Sequence, residues 1–248
     1  MHSEIRHAWI IGASRGMGKE LCKLLSQSAW QVTASARKIG DLEKLAKEIN
    51  ADIVPLDATD KLSIKLAADH VYRVQPPKLV MMNVGDYEPM PIEAFDASLF
   101  ERLNLTNYLA TVYLLDTLIP RMRDNGGGQI LLNVSAAAYK GMPQAAPYSA
   151  PKAAVLHMAE SLKPELERWN IKLRVINPGF VDSLLTQKNT FKMPFLMPPE
   201  EAAKRIHKSI SKNHFDINFP KRLTWILKLL RCLPNPVWFF FMRHGVLK

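Results

Sequence analysis

Cysteine is nearly missing from this 248-residue chain: Cys22 and Cys232 lie far apart, with no CxxC and no His/Cys cluster at metal-ligand spacing. That argues against a disulfide scaffold and a structural zinc site, names no metal ligands, and suits a reducing, cytoplasmic setting. Acids are missing from Pro220 onward, where Lys221, Arg222, Lys228, Arg231, Arg243 and Lys248 carry six of the net +10 charges. Lys228, Arg231 and two prolines also interrupt that stretch, so it holds no unbroken transmembrane span. The opening MHSEIRHAWI mixes acid and base before an apolar strand and does not resemble a signal peptide. No internal repeat or linker is visible. The basic balance invites a nucleic-acid reading, but no DNA- or RNA-binding motif accompanies it, so no nucleic-acid partner is expected.

What is present is globular: 48% hydrophobic and 23% charged residues. The length suffices for one large α/β domain. Apolar runs predict strands at 8–11, 30–36, 51–56, 78–83, 129–135, 171–177 and 215–219. Segments of helical period predict helices at about 15–28, 41–49, 61–74, 99–122, 149–168 and 200–211. Seven strands alternating with six helices predict a Rossmann-like, doubly wound α/β fold, with a parallel seven-stranded sheet covered by helices on both faces. The expected division is a single dinucleotide-binding catalytic domain over 1–219 and a basic, aromatic, amphipathic tail over 220–248.

Directly after the first strand, IGASRGMGKE sets Gly12, Gly16 and Gly18 in a GxxxGxG pattern where strand turns into helix. Glycine permits the tight turn and lets backbone N–H groups approach a pyrophosphate, which a helix N-terminus favours. Ser14, Arg15 and Met17 belong to the same candidate cofactor-binding loop. An acid closing the second strand would accept the ribose 2′-hydroxyl of NAD. Here ASARK supplies Arg37, with no acid before Asp41. Arg37 and Arg15 suit a 2′-phosphate, so NADP(H) is expected over NAD(H). Asp57, in LDATD after the third strand, is placed either to approach adenine or to act as a helix N-terminal acid.

Ser135 closes the fifth predicted strand, and Tyr148 and Lys152 follow in YSAPK. In this order the motifs IGASRGMG, MNVG, NVS, YSAPK and NPGFVDS resemble the short-chain dehydrogenase/reductases of the GxxxGxG and Ser…Tyr-x-x-x-Lys type, over residues 5 to about 219. The resemblance implies carbonyl/alcohol interconversion, with the hydride exchanged through the nicotinamide and the proton through Tyr148. Ser135 would hydrogen-bond the reacting oxygen. Lys152 would hold the ribose and favour the phenolate of a tyrosine that otherwise titrates at about 10. Asn104 would support a water relay to Lys152, with Asn107 one turn away as its rival. Asn83, Gly85, Pro178, Gly179, the Val181 backbone and the Ser183 hydroxyl would line the cofactor. Ile11 and Met82 depart from the family pattern by replacing a threonine and an asparagine. Enoyl reduction is disfavoured, because the family's enoyl reductases place six residues between Tyr and Lys and this chain has three. An NADP(H)-binding regulatory or membrane-docking module with little or no turnover is the rival from another class.

Between Ser183 and Glu200, Leu184, Leu185, Phe191, Met193, Phe195, Leu196 and Met197 predict either an apolar lid over a lipophilic substrate or packing on the body. In the tail, Leu223, Ile226, Leu227, Leu229, Leu230 and Leu233 form one helical face, with Lys221, Lys228 and Arg231 opposite. It is suited to peripheral membrane contact, to a neighbouring subunit, or to walling the substrate pocket. The resemblance further implies a homo-oligomer, dimer or tetramer. A helix start near Ser149 puts Pro151 in the first turn, where a missing N–H costs nothing.

Overall fold

Short apolar strands buried on both faces need helices on both sides, and the chain supplies at least one after every strand. A computed structural model describes residues 6–245. Its strands are β1 (Arg6–Ile11), β2 (Trp30–Ala36), β3 (Asp52–Pro55), β4 (Leu79–Met82), β5 (Gly128–Asn133), β6 (Ile171–Pro178) and β7 (Asp216–Phe219). Its helices are α1 (Gly16–Gln27), α2 (Ile39–Ile49), α3 (Lys61–Val74), α4 (Ala97–Asn104), α5 (Ala110–Asp124), α6 (Ala146–Glu167), α7 (Pro199–Ile210), α8 (Lys221–Arg231) and α9 (Asn235–Gly245). All strands are parallel, in the order β3-β2-β1-β4-β5-β6-β7. The order reverses at β1/β4, which opens a crevice beyond the carboxyl ends of those strands. One core layer joins Leu21, Leu42 and Ala203 of α1, α2 and α7 to the sheet, and the other joins Ile64, Leu114 and Val155 of α3, α5 and α6.

Three local departures from the predicted pattern shape the site. The long helix expected over 99–122 is two helices, α4 and α5, joined by a π-helical turn at Leu105–Leu109. It starts early because the Asp96 carboxylate accepts the Ser98 N–H as an N-cap. Strand β5 stops at Asn133, so Ser135 lies in the following turn. Helix α6 starts at Ala146 rather than Ser149, which places Tyr148 inside the helix. Pro147, not Pro151, occupies the first turn, and Ser149 N–H already donates to Ala145 O at 2.7 Å. Pro151 therefore leaves one bond unmade in the second turn.

The predicted boundary at residue 219/220 is not a boundary of packing. Leu223 and Leu227 of α8 belong to the same core layer as α3, α5 and α6, and Thr224 is fully buried. A Cβ on Gly179 would lie 2.7 Å from Leu223 Cδ2, so the glycine lets α8 sit against the end of β6. The Thr224 hydroxyl donates to Asn218 Oδ1 at 2.9 Å. Lys228, expected on the solvent face, turns instead to the Asp216 carboxylate, which also accepts from the Tyr139 hydroxyl and Asn177 Nδ2. Burial alone would raise the Asp216 carboxyl, but these three donors hold it below its ordinary range. Ile226 and Leu229, predicted on the apolar face, are exposed beside Trp225. Among the described side chains of α9 only Trp238 is deeply buried, while Val237, Phe239, Phe240 and Phe241 stand in solvent. No helix among the described residues is long and apolar enough to cross a membrane.

Because Leu227 is core rather than tail, Leu227→Ala is expected to lower unfolding free energy by about 2–3 kcal/mol. Urea denaturation of the full chain measures this. An unchanged midpoint would mean that α8 is a detachable appendage.

Candidate active site

The sharp turn after β1 starts the site. Gly12 has φ +87°, and a Cβ there would lie 3.0 Å from the Asn83 carbonyl carbon. At Gly18 a Cβ would come within 2.3 Å of Gly12 O, so the turn and the start of α1 close only around glycine. Gly12 and Ala13 N–H both donate to Ser35 O, fastening the turn to β2. From the turn a polar chain crosses the strand ends. Asn83 Nδ2 donates to Gly12 O at 3.0 Å, Asn133 Nδ2 donates to Asn83 Oδ1 at 3.1 Å, and Lys152 Nζ donates to Asn133 O at 2.9 Å. Asn83, just past β4, and Asn133, closing β5, thus tie the glycine turn to the lysine of α6.

Lys152 is 2% exposed, with no carboxylate beside it. Burial alone lowers its ammonium from about 10.5 to about 8. The Nζ lies 5.9 Å from the centre of the Tyr148 ring. Burial raises the Tyr148 phenol, with the Ser135 hydroxyl acting in the opposite sense and Tyr87 reinforcing the rise. In the protein alone, then, the tyrosine does not show the lowering expected of it, because desolvation outweighs its neighbours. Ser135 has two engagements: its Oγ accepts the Ala137 N–H at 3.1 Å, and it faces the phenol.

The two candidate asparagines are clearly separated. Asn104 is exposed at the end of α4, whereas Asn107 is 1% exposed within the π turn. Asn107 Oδ1 accepts the Asp86 N–H at 3.1 Å and its Nδ2 donates to Asp86 O at 2.9 Å. A Cβ on Gly85 would lie 3.2 Å from Asn107 Oδ1 and 3.4 Å from Lys152 Nζ. The asparagine beside the lysine is therefore Asn107, and the assignment to Asn104 is corrected. Leu103 and Ala110 are fully buried, so Asn107 falls in the apolar stripe of its helix and Asn104 falls outside it.

At the other end of the crevice, Arg15 and Arg37 are exposed, and Ser14 and Met17 are partly covered, Met17 packing on the core below α1. One Asp57 oxygen accepts from the Thr59 N–H and hydroxyl, while Asp60, not Asp57, caps α3. Burial would raise the Asp57 carboxyl, but Thr59 and the Arg37 charge keep it low. Pro178 is buried at the end of β6, and Gly179 serves the packing of α8. Val181 bridges to Met197, and the Ser183 N–H donates to Thr186 Oγ1 at 3.0 Å. The Ser183 hydroxyl, expected to face a ligand, lies 3.3 Å from the same Thr186 oxygen.

The 183–197 segment is tied over the site by residues that no short motif marks. Lys188 Nζ donates to Tyr87 O and the Glu88 carboxylate, and the Tyr87 hydroxyl donates to Asn189 Oδ1 at 2.8 Å. The Tyr87 ring in turn meets Tyr148 edge-on, with centroids 5.1 Å apart. Leu184, Phe191, Phe195 and Leu196 remain exposed on this segment, and only Met197 is buried.

A dinucleotide fits this chain's own geometry. A Cβ on Gly16, at φ +57°, would meet nothing within 4 Å, so the loop backbone is open on that side. The buried Asn133 Oδ1, beside the lysine, has no hydrogen-bond partner. No group of three or more metal-ligating side chains occurs among the described residues.

A doubly wound sheet with a glycine turn at its switch point and a Ser/Tyr/Lys set beyond β5 defines a dinucleotide-dependent oxidoreductase. The profile of the short chain dehydrogenase family matches residues 6–193, and the chain belongs to that family. It is 28% identical over 240 residues to an uncharacterized oxidoreductase of Myxococcus xanthus, covering 94% of each chain. The fold matches a short-chain dehydrogenase from Streptomyces avermitilis with TM-score 0.83 at 20% identity, covering 97% of this chain and 96% of that one. An alcohol dehydrogenase from the archaeon Thermococcus sibiricus, complexed with 5-hydroxy-NADP, matches with TM-score 0.78 at 20% identity, over 87% of this chain and 96% of its own.

The buried lysine has a measurable signature. Between about pH 8 and 10.5 the unfolded chain binds the Lys152 proton and the folded chain has lost it. The folded state therefore carries a charge-burial penalty below pH 8 that disappears as pH rises. Relative to Lys152→Met, the wild type is expected to gain roughly 3 kcal/mol of stability over that interval. Urea unfolding of both proteins from pH 7.5 to 10 measures it, and a constant difference would mean a hydrated ammonium.

Proposed function

We propose that the protein interconverts a carbonyl and an alcohol on a lipophilic small molecule, using NADP(H), with Tyr148 as proton donor in reduction and acceptor in oxidation. The observation that carries this reading is the convergence of Ser135, Tyr148, Lys152 and Asn107 on one crevice tied to the glycine turn. The dinucleotide, when bound, supplies or takes up the hydride. Ser135 donates to the reacting oxygen and orients it toward Tyr148. Tyr148 passes its phenolic proton to that oxygen, and the Lys152 ammonium stabilises the phenolate left behind. Asn107 positions the 85–86 backbone against Lys152. Ser14, Met17, Asn83, Gly85, Pro178 and Val181 form the candidate cofactor wall, with Asp57 toward the adenine side. The NADP(H) preference rests on Arg15 and Arg37, both exposed with no acid between β2 and Asp41. The lipophilic substrate rests on the apolar 183–197 cover above Tyr87.

Two association readings accompany this one. The protein forms a dimer or tetramer, as the family commonly does. The outer faces of α8 and α9 also rest on an anionic membrane surface. Trp225, Ile226, Leu229, Phe240 and Phe241 are each at least half exposed, and 220–248 holds cations with no acid.

NADPH consumption against a panel of lipophilic ketones and aldehydes tests the chemistry. Tyr148→Phe is expected to lower kcat by roughly 100- to 10,000-fold while NADPH still binds. Arg37→Ala is expected to raise KM for NADPH about tenfold and leave NADH unaffected. Tight NADPH binding without turnover across the panel would overturn the enzyme reading in favour of a binding module.

For the surface, co-sedimentation with phosphatidylglycerol vesicles is expected to exceed that with phosphatidylcholine and to fall with salt. The double change Trp225→Ala and Phe240→Ala should release the protein. Equal recovery on both vesicles would remove membrane docking.

A further inference from the structure

A second concavity lies apart from the crevice. An open cavity of about 500 Å³ separates α9 from the chain just ahead of Tyr148, lined by Met142, Pro143 and Ala146 on one side and Trp238, Phe239 and Met242 on the other. Its size falls within the range of small-ligand pockets. Ala146 and Ser149, which line it, point from a different flank of α6 than Tyr148 and Lys152, which lie one turn apart on the same face. The cavity is thus not the reaction crevice seen from another side.

The walls are apolar, but the charge around them has one sign. The exposed Arg243 lines the cavity, and Lys140 Nζ stands 5.8 Å from the centre of the Trp238 ring. Neither wall segment, 139–149 or 235–245, contains an acid. Two methionines face each other across it, and such unbranched thioether side chains adapt to irregular apolar shapes. Helix α9 has two roles by its geometry. Trp238, the half-exposed Phe239 and Met242 line the cavity, while Val237, Phe240 and Phe241 are exposed away from its lining.

We infer that this cavity binds the hydrocarbon chain of a single-chain anionic amphiphile, a long-chain carboxylate, with its head group paired to Arg243. Apolar lining selects the chain, and cations without a competing carboxylate select the head. The chain presses on the Met142–Ala146 segment and on Trp238, so an occupied cavity holds α9 against the body. The site stands without the membrane reading, which bears only on whether the ligand arrives from a bilayer or from solution.

Tryptophan quenching by dibromostearate, used below its critical micelle concentration, tests the site in the full chain. Of five tryptophans only Trp238 lines the cavity. Saturable quenching is expected, and Trp238→Phe should abolish it. Arg243→Gln should weaken the acid roughly three- to fivefold without weakening the methyl ester. A Cβ on Gly141, a lining residue, meets nothing within 4 Å, so Gly141→Phe should fill the cavity and abolish binding while the melting temperature holds. If that variant does not fold, Met242→Phe narrows the same space from the opposite wall without adding a tryptophan. Quenching that survives either folded filling variant, that appears only above the critical micelle concentration, or that is equally strong for acid and ester after Arg243→Gln and before it, overturns the proposal. Vesicle binding without saturable quenching overturns it while leaving membrane docking intact, and quenching by free acid without vesicle binding does the reverse.

Discussion

The site depends on a run of three side-chain hydrogen bonds across the carboxyl ends of β1, β4 and β5. Gly12 O, Asn83, Asn133 and the Lys152 ammonium are joined in series, each at 2.9–3.1 Å. Two backbone carbonyls at these strand ends, Gly12 O and Asn133 O, are satisfied by Asn83 Nδ2 and Lys152 Nζ, and the Asn133 amide links the two asparagines. These bonds fix the distance between the glycine turn and the lysine beside Tyr148. Buried polar groups are costly when only partly satisfied, so such a chain holds one geometry strongly. It leaves one oxygen without a partner, the buried Asn133 Oδ1.

Around that chain, charge burial is tolerated without an opposing acid. Lys152 is almost wholly enclosed and has a backbone carbonyl as its only neutral anchor. Arg174 is likewise buried on neutral acceptors, donating to His214 O, Ser209 O and Gln129 Oε1, whereas the half-buried Asp216 collects Lys228, Tyr139 and Asn177. That contrast separates the two clusters physically. The Asp216 cluster fastens helices to strands, whereas Lys152 is held in a state that destabilises the fold and readily changes protonation.

Most of the sheet was legible because its signals are local. Strand β2 and helix α3 fall at their predicted bounds, since an apolar run or a helical period ends where its residues end. The order of IGASRGMG, YSAPK and NPGFVDS marked the family for the same reason. What was not legible depends on residues distant in sequence. Asn107 and Asn104 differ only in which side of a helix meets Gly85, and the π turn that swings Asn107 inward leaves no mark of its own. The stripe containing Leu103 and Ala110 would have separated them had it been followed through the polar position. The outward turn of Ile226 and Leu229 is equally hidden. It follows from Lys228 reaching Asp216 and from Leu223 filling the gap above Gly179, contacts that no helical wheel contains.

Helix α8 has a consequence for how the chain is made. Ribosomes release a protein from its N-terminus onward, and domains commonly fold as they emerge. Here Leu223, Leu227 and Lys228 close a core layer whose other members span β1 to β6. Every residue of the catalytic crevice has been synthesised long before that layer can close. The nascent chain must therefore wait for α8, and a chain cut before that helix carries a full set of site residues on an unfinished core.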